Sequence, residues 1–206
     1  MLLKNETTAM QGSDRGYRIG LTGGMGCGKS SVAGFFAEAG WSVLSADALV
    51  QDLLASNELV ICAVRERWGA AVFDAEGRVD RGAVAEAVFA EPGELEWLEA
   101  LLHPRVREQW LAAMDGDPGL NWVIEIPLLF EKRLEKEFDF SVCVVCPEAI
   151  VIARMALRGF SKVAIEQRSK RQMALSEKVE RADYVITNAG SLEFLKEQTL
   201  GLIAEW

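Results

Sequence analysis

The chain has 206 residues, half of them apolar, and a formal net charge of −9 at pH 7. Its length and apolar content allow a substantial core. The negative charge argues against sequence-independent binding to nucleic acid. No apolar run approaches the length of about 18 residues that a membrane span requires. Residues 1–16 are polar and contain no apolar segment typical of secretory signals, so we expect a loose arm there and a cytoplasmic enzyme.

The first predicted strand, 17–22, leads into residues 23–30, which read GGMGCGKS and match G-x-x-x-x-G-K-[ST] at every fixed position. In such a loop, backbone N–H groups turn toward phosphate oxygens and the following helix adds its partial positive charge. We therefore expect a nucleoside triphosphate site and name residues 23–30 the phosphate loop. Lys29 is predicted to be catalytic, reaching the β- and γ-phosphates, and Ser30 to bind Mg²⁺ through its hydroxyl. Further nucleotide contacts are predicted at Gly24, Gly26, Cys27, Gly28 and Ser31. The alternative is a glycine-rich turn that binds nothing.

Beyond the phosphate loop, short β-prone runs alternate with helical patterns. Further strands are expected over 41–45, 122–126, 140–146 and 184–187. Helices are expected over 30–38, 49–54, 58–68, 81–89, 94–114, 147–158, 161–176 and 192–205. Because His103 precedes a proline, we expect a local break or bend there. Strands separated by helices imply an α/β fold with a five-stranded parallel sheet flanked by helices.

Two helical insertions are expected to interrupt a core made of 17–47, 119–153 and 182–206. Ligands of a doubly wound sheet bind at the carboxyl ends of its strands, so 48–118 could hold a phosphoryl acceptor and 154–181 could form a lid over the donor. Residues 154–181 carry eight Lys and Arg against three Asp and Glu. The guanidinium groups of this segment suit phosphate, although a solvated helix face is the alternative. The candidates for this role are Arg154, Arg158, Arg168 and Arg171.

Two carboxylates lie at predicted strand ends. Asp47 follows the second strand and is the best candidate for the base that accepts the proton of an attacking hydroxyl group; an N-cap of the next helix is the alternative. Glu125 lies in the apolar third strand, where a carboxylate is costly unless it is paired, bonded or near a metal. It would orient Lys29 or a Mg²⁺-bound water, or make a structural hydrogen bond.

The four cysteines are too few and too scattered for a disulfide framework. Cys143 and Cys146 form a C-x-x-C pair, which could indicate metal or redox chemistry. They lie in a predicted strand, however, where residues three apart point to opposite faces. We therefore expect them to be buried core residues.

Several linked motifs occur in order along the chain. LTGGMGCGKS stands at 21–30, SAD at 45–47, DR at 80–81, LHPRVR at 102–107 and IPLLFE at 126–131, followed by RQM at 171–173, EK at 177–178, ADYVI at 182–186 and NAG at 188–190. Together they resemble the dephospho-coenzyme A kinase family, from about residue 18 to the C-terminus. The first motif is similar to the family's L-T-G-G-x-G-x-G-K-S, and the second lies where the family usually has D-A-D.

The resemblance implies ATP-dependent phosphorylation of the ribose 3′-hydroxyl of dephospho-CoA, the last step of coenzyme A synthesis. It implies a P-loop NTPase core, a helical CoA-binding insertion and a lid. ATP and Mg²⁺ would be required, dephospho-CoA would be the small-molecule partner, and the chain would be a monomer or weak oligomer. Asp47 would be the base, Arg154 and Arg158 would contact ATP, and Asn188 and Gly190 would line the adenine pocket. The acceptor side would comprise Arg81, His103, Arg107, Glu125 and Leu128.

Three departures from the family pattern matter. Ser45 replaces the first Asp of D-A-D, so any role of that carboxylate is lost or weakened, although activity is still expected. Glu125 replaces the usual Asp of D-x-P-L-L-F-E, and the turn at 158–161 is one residue shorter than the family's R-D-G-L-S. The rival interpretations are a P-loop kinase acting on a nucleoside or nucleotide, and an ATP-binding regulatory protein without catalysis. A GTPase is disfavoured because neither N-K-x-D nor a D-x-x-G after the third strand is present.

Overall fold

The computed structural model describes residues 15–160 and 172–206. Within them the strands are β1 (Arg18–Gly23), β2 (Ser42–Ser45), β3 (Trp122–Glu125), β4 (Phe140–Val145) and β5 (Tyr184–Thr187). Each begins and ends within one residue of its prediction. The helices, numbered over the described residues, are α1 (Lys29–Glu38), α2 (Ala46–Ser56), α3 (Glu58–Trp68), α4 (Arg81–Ala90), α5 (Glu94–Gly116), α6 (Glu148–Leu157), α7 (Leu175–Arg181) and α8 (Leu192–Ile203), with short 3₁₀ helices at Gly69–Val72 and Glu135–Glu137.

The strands form one parallel sheet in the order β2-β3-β1-β4-β5. β1 is central, with Leu21 aligned to Glu125 of β3 on one side and to Val142 of β4 on the other. The carboxyl ends of the five strands therefore share one edge, and the phosphate loop leaves from the middle of it. The expected α/β fold with a five-stranded parallel sheet is confirmed.

The two faces of β1 are covered by different parts of the chain. Ile19 and Leu21 are fully buried in the apolar cluster that α1 and α8 form with the sheet. On the opposite face, a Cβ added to Gly20 would press against Phe138 and Leu129. Gly20 lies on the other face from Ile19 and Leu21 because successive residues of a strand point to opposite sides of the sheet. The connection from β3 to β4, which contains Leu129 and Phe138, therefore packs closely against this second face.

Residues 46–115 form a compact unit of their own, and the described parts of 1–45 and 116–206 form the other. The helices α3 and α4 of the first unit begin at side-chain caps. Asn57 Oδ1 accepts the N–H of Val60 at 3.1 Å, and Asp80 Oδ1 accepts the N–H of Gly82 at 2.8 Å. Such caps satisfy helix donors that have no partner within the helix. Among residues 15–160 and 172–206, no helix has the length and apolar character required to span a membrane.

A buried carboxylate ties α5 to α3 within the helical unit. Glu94 accepts hydrogen bonds from Arg67 Nε at 3.0 Å and from Trp68 Nε1 at 2.6 Å, and its second oxygen accepts from Arg67 Nη2 at 2.5 Å. The hydrogen bonds from Arg67, and then the one from Trp68, hold the pKa of Glu94 below its ordinary value against the opposing effect of desolvation. The ionised form of Glu94 is therefore the one that links α5 to α3.

The expected break at His103 is wrong, because Pro104 lies inside a continuous helix of 23 residues; a bend at this position stays a prediction. An interior proline costs about 3 kcal/mol. Large apolar side chains at four-residue steps on one side of α5 are buried, and each contributes about 1.5–3 kcal/mol, so their burial outweighs the proline. They are Leu102, Val106, Trp110 and Met114. In addition, Arg105 Nη1 donates to the carbonyl of Leu101 at 2.6 Å, beside the position where the proline supplies no N–H.

The helix expected over 161–176 is only partly tested, because residues 161–171, with Arg168 and Arg171, lie outside the described residues. Its predicted end is wrong. Residues 172–174 are not helical, and α7 begins at Leu175. The N–H of Met173 donates to Glu131 Oε1 at 2.8 Å, so a contact with a distant part of the chain replaces a helical hydrogen bond.

Candidate active site

The phosphate loop connects the last residue of β1 to the first turn of α1 through backbone that favours glycine. Gly26 and Gly28 have φ of 72° and 95°, in the left-handed region. The carbonyl of Gly28 accepts the N–H groups of Ser31 and Val32 at 3.1 and 3.2 Å, so Gly28 is the N-cap of α1. The helix carries no acidic residue in its first turn. Its N-terminus therefore offers N–H groups and partial positive charge to an anion.

Lys29 is buried, and its ammonium folds back over the loop. Its Nζ donates to the carbonyls of Gly23 at 3.3 Å and Gly24 at 3.1 Å. Ser30 is exposed and Ser31 half-buried on the first turn of the same helix. The structure thus brings the predicted lysine, both serines and the loop glycines together at the middle of the sheet edge.

Asn188 and Arg154 are joined to the phosphate loop by a chain of hydrogen bonds. Asn188 follows β5 and is 5% exposed, and its Nδ2 donates to the carbonyl of Cys27 at 2.9 Å. Arg154 Nη2 donates to Asn188 Oδ1 at 3.2 Å, and its Nη1 lies 3.6 Å from Cys146 Sγ. Of the other residues predicted on this side, Arg158 is exposed at the end of α6 and Gly190 is exposed in the turn before α8.

On the side of β1 where β3 and β2 lie, the two residues that replace aspartates of the family motifs are paired with each other. Ser45 and Glu125 are register partners at the carboxyl ends of β2 and β3. Side chains of directly paired strand residues share a face of the sheet, so the serine and the longer acid occupy neighbouring positions. Leu128 follows in the next turn and is half-buried.

A second polar network, which the sequence did not reveal as part of the site, surrounds the carbonyl of Pro127. This carbonyl accepts from Thr22 Oγ1, on β1, at 3.3 Å and from Lys178 Nζ, on α7, at 2.6 Å. Lys178 is 1% exposed and forms an ion pair with Glu131 Oε1 at 2.8 Å. Glu131 and Lys178 stand in the quoted motifs IPLLFE and EK, but nothing in their spacing indicates that they meet.

The cysteines of the sheet are buried, as expected. Cys143 is fully buried and Cys146 is 6% exposed. Burial raises the pKa of Cys143 to about 12, and it also raises that of Cys27, where the opposing charge of Lys29 is the smaller effect. Protonated thiols are poor nucleophiles and metal ligands. Within the described ranges, no group of three or more His, Cys, Asp and Glu side chains is suited to hold a metal ion.

The remaining predicted residues belong to the helical unit. Asp47 is an exposed residue of the first turn of α2, two positions beyond Ser45, and it lies inside the helix rather than at its N-cap. Arg81 is exposed at the start of α4. His103, half-buried, and Arg107, exposed, are four residues apart on α5 and share a side of that helix.

Comparison with known proteins agrees with the motifs and the fold. The family model "Dephospho-CoA kinase" matches residues 17–193. A protein of Thermosynechococcus vestitus named dephospho-CoA kinase is 39% identical over 183 residues, covering 88% of this chain and 90% of that protein. The crystal structure of TT1252 from Thermus thermophilus is 35% identical with a TM-score of 0.78, over 93% of this chain and 98% of that one. The dephospho-CoA kinase from Campylobacter jejuni, 23% identical with a TM-score of 0.65 over 92% of this chain and 96% of its own, shares the fold. With a phosphate loop at the centre of a parallel sheet and relatives of this kind along almost its whole length, the chain belongs to the dephospho-CoA kinase family.

Proposed function

We propose that this chain transfers the γ-phosphoryl group of ATP to the 3′-hydroxyl of the ribose of dephospho-CoA, giving coenzyme A and ADP. The observation that carries the proposal is the phosphate loop, with Lys29 folded over it and the N-terminus of α1 behind it, in a chain of this family. Phosphoryl transfer depends chiefly on positioning and on neutralising charge, and this arrangement supplies both for the donor.

On the donor side, the N–H groups of the phosphate loop bind the β- and γ-phosphates, and Lys29 follows the charge that develops on the transferred group. Mg²⁺ fits this side, because Ser30 presents an exposed hydroxyl oxygen on the first turn of α1 and Mg²⁺ needs few protein ligands when it also binds phosphate. When bound, the ion neutralises charge on the phosphate oxygens. Arg158 adds positive charge at the C-terminal end of α6.

On the acceptor side, Asp47 accepts the proton of the attacking hydroxyl group as general base. Its carboxylate is exposed in the first turn of α2. Glu125 and Leu128 continue the sheet edge, while Arg81, His103 and Arg107 provide cationic and hydrogen-bonding groups for an anionic acceptor. The assignment of 48–118 to acceptor binding and of 154–181 to a lid stays a prediction, as do cytoplasmic location and a monomeric or weakly associating state.

The test is coupled ATP turnover with dephospho-CoA, compared with adenosine and the common nucleoside monophosphates. We expect turnover confined to dephospho-CoA, with coenzyme A as the product. Turnover with a nucleotide acceptor instead would favour the rival small-molecule kinase, and tight ATP binding without any turnover would favour a regulatory protein.

The variant Lys29→Ala tests the donor site. It should weaken both ATP binding and kcat, since the ammonium serves the ground state and the transition state. Unchanged ATP kinetics in this variant would contradict the phosphate-loop assignment.

A further inference from the structure

We propose that Asn188 is a positioning residue for phosphoryl transfer, which acts through the phosphate loop by holding the carbonyl of Cys27, and that Arg154 holds Asn188 in turn. This rests on the proposed role of the phosphate loop in binding the phosphates of ATP. It differs from the sequence prediction, in which Asn188 lines the adenine pocket.

The contact is buried and fixed at three points. The backbone N–H of Asn188 donates to the carbonyl of Val145 at 2.8 Å, which ties the residue to the end of β4. Its Nδ2 reaches Cys27 O at 2.9 Å, and its Oδ1 accepts from Arg154. A rotated amide would place two oxygens together at Cys27 and two donors together at Arg154. The guanidinium therefore selects the orientation in which the amide N–H faces the loop.

The peptide between Cys27 and Gly28 explains how this contact affects the phosphates. In a planar trans peptide the C=O and N–H bonds point in opposite directions. Because Asn188 holds the carbonyl of Cys27, the N–H of Gly28 points away from Asn188. A carbonyl turned toward the bound phosphates would repel them, whereas an N–H in the same place attracts them. Asn188 thus fixes which end of this peptide the anion meets.

The close approach also accounts for the residue type at position 28. A Cβ added to Gly28 would overlap the amide nitrogen of Asn188. The φ of 95° at Gly28 is itself a conformation that residues with a Cβ rarely adopt. The amide of Asn188 consequently occupies space that only a glycine leaves, and both ends of that amide already have a protein partner.

The two roles for Asn188 predict different losses of affinity. Positioning the loop affects every ligand that carries the phosphates, whatever its base, while lining the adenine pocket affects the preference for adenine. The probes are Mg²⁺ with inorganic tripolyphosphate, measured by calorimetry, and the ratio of kcat/KM for ATP to kcat/KM for GTP with dephospho-CoA as acceptor. The variants are Asn188→Leu, which removes the amide, and Asn188→Asp, which keeps the oxygen for Arg154 but turns a second oxygen toward the carbonyl of Cys27.

We expect both variants to bind tripolyphosphate about 10-fold more weakly, the loss that corresponds to one buried hydrogen bond, with the ATP-to-GTP ratio within about twofold of the wild type. The matched control is Asn121→Leu. Asn121 Oδ1 accepts the N–H of Tyr17 at 2.8 Å at the opposite end of the sheet, so its loss should lower the melting temperature and leave tripolyphosphate affinity unchanged.

Unchanged tripolyphosphate affinity in both Asn188 variants would overturn the proposal. A large fall in the ratio of kcat/KM for ATP to kcat/KM for GTP would instead support the prediction that Asn188 lines the adenine pocket. A different result would contradict the phosphate-loop assignment itself, and with it the role of Asn188: a wild type that does not bind tripolyphosphate, or that binds it no more tightly than Lys29→Ala does.

Arg154→Met gives a second test that does not alter the buried amide. We expect it to weaken tripolyphosphate binding about threefold in the wild-type background and to add almost nothing to Asn188→Leu, because groups that act through one another have non-additive effects. Fully additive effects would show that Arg154 acts on the phosphates by itself and would overturn its part of the proposal.

Discussion

Lys178 offers the sharpest test of how the phosphate-loop side of the sheet is held together. The substitution Lys178→Met keeps a long unbranched side chain and removes only the ammonium group. That group is buried, with the side chain 1% exposed, and it donates to the carbonyl of Pro127 at 2.6 Å and pairs with Glu131 at 2.8 Å. Its loss leaves the carboxylate of Glu131, 15% exposed, with the N–H of Met173 at 2.8 Å as its remaining donor among residues 15–160 and 172–206.

Removal of one partner of a buried ion pair costs about 3–5 kcal/mol, because the other charge stays buried without its counterion. In a protein of about 150–250 residues each kcal/mol lowers the melting temperature by about 2–4 °C. Lys178→Met should therefore melt about 6–20 °C below the wild type. The assay is urea denaturation followed by circular dichroism, with thermal melting as the second measurement.

An exposed ion pair supplies the control. Lys196 Nζ lies 2.6 Å from Glu38 Oε2, but the two side chains are 44% and 57% exposed, and such pairs contribute less than about 1 kcal/mol. Lys196→Met should accordingly change the free energy of unfolding by less than that. The reasoning would be refuted if Lys178→Met cost no more than Lys196→Met. The double variant Lys178→Met with Glu131→Gln should recover part of the loss, since it no longer buries an unpaired charge.

Three further predictions follow from other parts of the molecule. Asp47→Asn should lower kcat by about 10²–10⁴ with ATP affinity nearly intact; near-normal single-turnover rates would remove Asp47 from the mechanism. Arg67 lowers the pKa of Glu94 in the folded state, so the ionised Glu94 stabilises the fold above its unfolded-state pKa, and this stabilisation is lost as pH falls through its folded-state pKa. The melting temperature of Glu94→Gln should therefore depend less on pH in this acid range than that of the wild type. Parallel curves of melting temperature against pH would contradict the role of Glu94. Ser45→Asp should lower the free energy of unfolding by about 0.2–1 kcal/mol, the cost of like charges across paired strands, and the addition of Glu125→Gln should remove that loss in the same denaturation assay.

The strands could be predicted closely because their signal is local. The run that became β4 is apolar and ends at a proline, and the run that became β1 is followed by the glycines of the phosphate loop. The strand order could not be predicted in the same way. It depends on which strands bury each other's edges, so the placement of β1 between β3 and β4 became visible only with the structure.

The errors have tertiary causes. The motif at His103 contains a real helix-disfavouring signal, but the buried side of α5 outweighs the cost of Pro104. At Met173 the helical pattern was misleading because Glu131, 42 residues away, accepts its N–H. In both places a local preference of a few kcal/mol competes with packing and hydrogen bonds that the sequence around the position does not contain.

The phosphate loop shows which features of a site a sequence motif can predict and which it cannot. Its glycines and Lys29 could be recognised from the sequence because their spacing carries the chemistry. The groups that hold it in shape could not, since Asn188 is 161 residues from Cys27 and meets it only because β5 lies beside β4 and β4 beside β1. On the other side, Thr22 at the end of β1 and Lys178 on α7 converge on the carbonyl of Pro127. Support from both sides of β1 means that phosphate affinity should respond to substitutions well outside the motif, and that the response should grow with the burial of the contact that is lost.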